Sequence, residues 1–157
     1  MSLHRLVYLS RAVQPLPINT LNSLSLRARK RNEDHGITSL LLYDGRYFLH
    51  YAEGPAASLT WLLQNVRQDP RHEDLCLLSH HPCQTRTFPS WALNIVNLTH
   101  GGGLVQLNAQ NTHHSHPDYS IRDLLNAPLP GDMRLLVASF AASSQMTGDS
   151  SSLLNHN

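Results

Sequence analysis

The chain has 157 residues with 12 Lys and Arg against 11 Asp and Glu, a formal net charge of +1. That length has room for one ordinary domain and a tail, and so even a charge balance excludes a global field that would recruit nucleic acid or an anionic membrane. Cys76 and Cys83, the only cysteines, make neither a disulfide framework nor a zinc knuckle, which points to a reducing cytoplasm. Arg5, Arg11 and two early prolines interrupt any signal-peptide core, and no stretch approaches a membrane span.

Leu3 to Ser10 reads as a strand with apolar side chains on both faces, as expected where both are covered. Pro15 and Pro17 break the chain. Asn19 or Thr20 then caps a helix over 20–35, in which Leu21, Leu24 and Ala28 recur at helical spacing before Gly36 ends it. Ile37 to Tyr43 is a second strand, Asp44-Gly45 signals a tight hairpin, and Arg46 to Glu53 is the returning third strand. Phe48, His50 and Ala52 share one face of that strand; Tyr47, Leu49 and Tyr51 share the other. Pro55 opens a second helix, running to about Gln68, with a stripe of Leu59, Leu62, Leu63 and Val66. After the turn at Asp69-Pro70-Arg71-His72, Leu75 to Ser79 is a fourth strand, and Trp91 to Leu98 a fifth beyond the Phe88-Pro89-Ser90 break.

The order β-α-β-β-α-β-β predicts an α+β, ferredoxin-like sandwich: a mixed sheet with the first and third strands central and both helices on one face. Segments 118–126 and 132–142 supply capping helices for the other face, Met133, Leu136, Val137 and Phe140 having the spacing of a buried stripe. The domain proper is expected over 1–98 and the linker with capping helices over 99–142. Gly101-Gly102-Gly103 and the polar run to Pro117 form the linker's flexible part, and a Ser-rich disordered tail occupies 143–157.

Taken singly, the polar residues of this frame are ambiguous. Tyr8 on a central strand needs a hydrogen-bond partner if buried, though a plain core tyrosine is the commoner case. The cations Arg27, Arg29, Lys30 and Arg31 before Asn32 suit a helix C-terminus. His50 interrupts an apolar strand and either joins a buried network or points into a pocket. Asp69, Arg71 and His72 look like turn residues, and Trp91 either caps the sheet edge or leans into a pocket. His113, His114 and His116 crowd into one polar stretch that reads more simply as a loop than as a metal site, so no metal is expected.

Together the segments are more specific. Leu-Val-Tyr-Leu-Ser around Tyr8, Arg-Lys-Arg-Asn before Gly36-Ile37-Thr38, and Leu-Leu-Leu-Tyr-Asp-Gly-Arg-Tyr-Phe-Leu through the hairpin occur in order with Glu53-Gly54-Pro55, Asp69-Pro70-Arg71-His72 and Phe88-Pro89-Ser90-Trp91. From Leu3 to Leu98 the pattern resembles the BLUF family of blue-light sensors. The resemblance implies a flavin between the two helices over the sheet: FAD, with FMN or riboflavin as alternatives. It assigns Tyr8 as photochemical electron donor, Asn32 to the flavin carbonyl edge, Phe48 to the ring, and Leu24 and Val66 to its sides. Arg31, Asp69, Arg71 and His72 match positions near the far edge or the ribityl and phosphate chain, and Trp91 and Leu93 the switch and output segment.

Two positions depart from the family's pattern. His50 stands where the family has the glutamine of its Phe-Leu-Gln motif, and Leu93 replaces a methionine often found beside Trp91, which removes a weak thioether acceptor. An amide carries donor and acceptor on one end and exchanges them by rotating; a rigid imidazole cannot, and adds a possible protonation change. The expectation is a cytoplasmic flavin photoreceptor, not an enzyme, signalling through a downstream protein partner or a homo-oligomer, with a light response altered by His50. The alternatives are a light-silent flavin binder and a flavin-free interaction module.

Overall fold

In the computed structural model of the chain, the described residues are 2–88, 93–100, 103–106, 121–126 and 129–152. The elements run β1 (Leu3–Ala12), α1 (Ile18–Asp34), β2 (Thr38–Tyr43), β3 (Tyr47–Pro55), α2 (Ala56–Gln68), β4 (His72–Pro82), β5 (Asn94–His100), β6 (Gly103–Gln106), α3 (Ile121–Asn126) and α4 (Gly131–Ser152). The strands form one six-stranded sheet in the order β4-β1-β3-β2-β5-β6, with β2 and β5 parallel and the other pairs antiparallel. This is the expected ferredoxin-like α+β frame, with β1 and β3 inside.

Strand alternation sorts the core into two layers. On the face toward α2, Leu6, Tyr8 and Ala52 pack with Leu59, Leu62 and Leu63, while Ala12, Tyr43 and Phe48 pack with Leu21 of α1. On the opposite face Val7, Leu40, Leu42, Leu49 and Tyr51 are covered by Leu124 of α3 and by Met133 and Val137 of α4, as the stripe at 133–140 predicts.

The hairpin follows its turn chemistry. Asp44 Oδ1 accepts from the backbone N–H groups of Arg46 (2.9 Å) and Tyr47 (2.7 Å), and Gly45 takes φ 94°, which a side chain would oppose. Gly36, at φ 68°, turns the chain out of α1 as a left-handed cap residue.

Several expectations are corrected. α1 begins at Ile18 with no side-chain cap from Asn19 or Thr20; Pro17 sets the entry, and its carbonyl receives the Leu21 N–H at 3.0 Å. β4 is far longer than 75–79 because β1 offers it a ladder along its whole length, with irregularities opposite Val7/Tyr8 and Leu9/Arg11. Asp74, at φ 51°, sits at the second of these. β5 begins at Asn94, not Trp91, and the linker supplies a strand, β6, where a flexible connection was expected. Helix α4 continues to Ser152, well into the stretch from Ser143 expected to be disordered: propagating a helix already nucleated on the sheet costs little per residue, even through serines. Trp91 and the histidines at 113, 114 and 116 lie outside the described residues. Among the described residues no helix is long and apolar enough to cross a membrane.

A buried ion pair ties the β4–β5 connection to the sheet. The Glu53 carboxylate, 1% exposed, accepts from Arg5 Nη2 at 2.8 Å and from the backbone N–H groups of Thr87 (2.8 Å) and Phe88 (3.0 Å). Arg86 completes the clamp on the Glu53 and Gly36 carbonyls.

Candidate functional site

Between α1 and α2, over the sheet, lies a cleft with about 860 Å³ of empty space counted to its open mouth. Its floor is Tyr8 from β1, Phe48 and His50 from β3, Leu41 from β2 and Ile95 from β5. One wall is the α1 face carrying Leu24, Ala28, Arg31 and Asn32, recurring at three and four residues; the other is the α2 face carrying Trp61, Leu62, Asn65 and Val66. Asp69, Arg71 and His72 close one end where α2 turns into β4. Every residue expected to contact a flavin therefore lines one cavity, and Leu93 joins them.

The sequence reading missed Trp61, Asn65, Ser25 and Ile95, which also line the cleft. Trp61 and Asn65 lie one turn apart beside the Leu62–Val66 pair, so the same helical period held the signal. Trp61 is stacked by His35 at 3.8 Å between ring centres.

At the centre of the floor His50 and Tyr8 face each other across the β1–β3 register. Tyr8 Oη and His50 Nδ1 are 2.8 Å apart, and the rings meet edge to face. Burial raises the Tyr8 pKa, with Asp69 adding to the effect. Burial also lowers that of His50 to about 3, helped by His72. Both groups are therefore neutral at pH 7. Donor counting fixes the tautomer. If Tyr8 donates to Nδ1, the imidazole proton is on Nε2 and only that N–H lacks a partner. In the reverse arrangement the phenol proton and the Nε2 lone pair would both go unmet. The first costs less, so His50 presents Nε2–H, a buried donor with no partner among the described residues.

The surroundings are polar at defined points. Asn32 Nδ2 lies 3.3 Å from Ser39 Oγ. His72 Nδ1 meets Ser10 Oγ at 2.8 Å, and its ring tilts against Phe48 at 4.6 Å between centres. Burial lowers the His72 pKa against the opposing pull of Asp69, with Arg71 adding to the lowering. Asp69 and Arg71 form a two-pronged pair, Nε–Oδ1 at 2.8 Å and Nη2–Oδ2 at 2.7 Å. Burial works to raise the Asp69 pKa, but the hydrogen bonds from Arg71 outweigh it and hold the carboxyl below its usual range.

This donor set fits a flavin. An isoalloxazine is a flat tricycle with ring nitrogens and carbonyl oxygens along one edge, so it suits apolar walls and an unpartnered buried N–H that needs an acceptor.

Comparison with known proteins agrees. The family model described as BLUF, sensors of blue-light using FAD, matches residues 3–94. The photoactivated adenylate cyclase subunit beta of Euglena gracilis is 36% identical over 93 residues, covering 59% of this chain and 11% of that protein. The blue light- and temperature-regulated antirepressor BluF of Escherichia coli (strain K12) is 26% identical over 93 residues, 59% of this chain and 23% of that one. The chain thus spans only about a tenth of the cyclase relative's length. Among solved structures, the dark state of the BLUF protein BlrB superposes with a TM-score of 0.62 at 29% identity, covering 90% of this chain and 97% of that one. Klebsiella pneumoniae BlrP1, in a calcium and cyclic-di-GMP complex, gives 0.68 at 26% identity over 89% of this chain and 34% of that one.

Proposed function

This chain belongs to the BLUF family, sensors of blue light using FAD, and on that premise we propose that it binds a flavin in the α1–α2 cleft and answers blue light through the Tyr8–His50 pair. The observation that carries this reading is the 2.8 Å contact between Tyr8 Oη and His50 Nδ1, with a buried, unpartnered Nε2–H on a ring that lines the cleft. A bound flavin supplies blue-light absorption and an excited state able to take an electron. Tyr8, a neutral phenol, is the donor, and losing an electron makes its proton strongly acidic. That proton would pass to His50 Nδ1 while the imidazole gave up the one on Nε2 to the flavin, which the electron taken from Tyr8 would have made basic, so that charge and protons balance. The ring would end as the opposite tautomer without turning, its Nε2 changed from donor to acceptor. This exchange replaces the amide rearrangement available to the glutamine of the family's pattern.

Asn32 and the Nε2–H of His50 hold the polar edge of the ring, Phe48, Leu24 and Val66 its faces and sides. Arg31 and Arg71, with Asp69 and His72, stand at the ribityl and phosphate end, where their charge favours FAD or FMN over riboflavin. Leu93 and Trp91 belong to the output segment. Output passes in the cytoplasm to a partner protein or a second copy of the chain, as the effector-bearing names of the relatives suggest.

The test is the light-minus-dark absorption spectrum of the wild type and His50→Gln, each reconstituted with FAD. An amide at position 50 is expected to produce a larger red shift of the flavin bands. Identical spectra would remove His50 from the switch.

A further inference from the structure

His4 and His80 lie away from the cleft, where β1 begins and β4 ends, and the light-sensing reading leaves them without a role. The register sets Leu6 directly opposite His80 and His4 opposite Pro82, so the two histidines are diagonal neighbours on one face of the ladder. Their ring centres are 5.4 Å apart and the planes meet at 70°. Among the described residues neither ring makes a hydrogen bond, and His4 Nδ1 is buried without a partner. A buried ring nitrogen is normally satisfied; His4 Nδ1 is not, although the exposed His80 imidazole lies beside it.

The spacing of this edge-to-face pair is also the one that a shared metal ion would impose. With a metal–nitrogen bond of about 2.1 Å and about 1.2 Å from nitrogen to ring centre, each centre lies about 3.3 Å from the ion, and at a tetrahedral angle the two centres stand about 5.4 Å apart.

We propose that His4 and His80 form a two-imidazole site for a borderline divalent transition ion of the zinc, nickel and copper(II) class, with solvent completing its shell. Nitrogen donors select these ions over calcium and magnesium, which take oxygen. Among the described residues no third histidine, cysteine or carboxylate joins the pair, so the site is open and exchangeable, unlike a closed structural zinc centre. His80 is exposed, giving the ion entry from solvent. Occupied, the site pins the edge strand β4 to β1 across the ladder.

Titration of the chelator-stripped, full-length chain with zinc against a chromophoric chelator tests this, using three proteins: wild type, His80→Ala, and a triple variant with alanine at 113, 114 and 116. The wild type is expected to bind one equivalent that the triple variant keeps. His80→Ala weakens that equivalent at least about tenfold, since losing even an outer-shell partner costs that much, and the zinc-dependent rise in Tm disappears with it. Zinc binding unchanged in His80→Ala, lost in the triple variant, or absent from the wild type would overturn the proposal.

Discussion

The buried imidazole of His50 makes stability depend on pH in a calculable way. In the unfolded chain it protonates with a pKa near 6.5; in the folded chain burial and His72 keep it neutral down to about 3. Between those values the unfolded state binds more protons, so stability is full above about pH 6.5 and falls as pH drops through the window. From about pH 7.5 to about pH 5 the unfolded group gains roughly 1.5 pH units of protonation free energy that the native group does not, or about 2 kcal/mol. That figure is insensitive to the folded value once it lies below about 4. Urea unfolding of the wild type and His50→Gln at both pH values isolates the term, because His72, which shifts in the same direction, is common to both proteins. The wild type should lose about 2 kcal/mol more than the variant on acidification. Equal losses would mean that His50 is already charged or solvated in the native state and would refute the assignment of Nε2–H as a fixed neutral donor.

Tyr8→Phe leaves His50 Nδ1 buried without its donor, so it should cost about 1–3 kcal/mol in urea unfolding while abolishing the reversible band shift and sparing flavin binding. Glu53→Ala strands the Arg5 guanidinium and two backbone N–H groups, and about 3–5 kcal/mol should be lost in the same assay; a loss under about 1 kcal/mol would show the clamp to be dispensable. Arg71→Ala should weaken FAD and FMN by calorimetry while hardly changing riboflavin, whereas equal weakening of all three would move Arg71 away from the phosphate chain. Met133→Ala, at a position buried against the sheet, should cost about 2–5 kcal/mol if α4 is part of the core.

The sheet and its two crossover helices were legible because local signals and the global pattern agree: Asp44-Gly45 fixes the hairpin, and the apolar stripes of 21–28 and 59–66 have one period and one destination. The cleft was legible only as a constellation. Phe48 and His50 declare a shared face by alternation, but that Asp69, Arg71 and His72 close the same cavity depends on β4 returning beside β1, a long-range pairing that no local residue announces. The length of β4 escaped for a related reason: its side chains are mostly exposed, so hydropathy marks only its middle, whereas the β1 ladder sets its ends. The β6 strand holds Leu104 and Val105 in a glycine-rich, otherwise polar stretch, and the extension of α4 is Ser-rich; at both, local propensity is weak and tertiary context decides. The neutral state of His50 and its tautomer follow from burial and from the single partner of Tyr8, both of which require the assembled fold.

The most direct test of the central claim is the visible absorption spectrum of the purified wild type supplied with FAD, recorded in the dark and then under blue light. Protein-bound flavin bands should appear, shift on illumination and recover in the dark. No bound flavin after exposure to excess FAD would contradict it, whatever the fold.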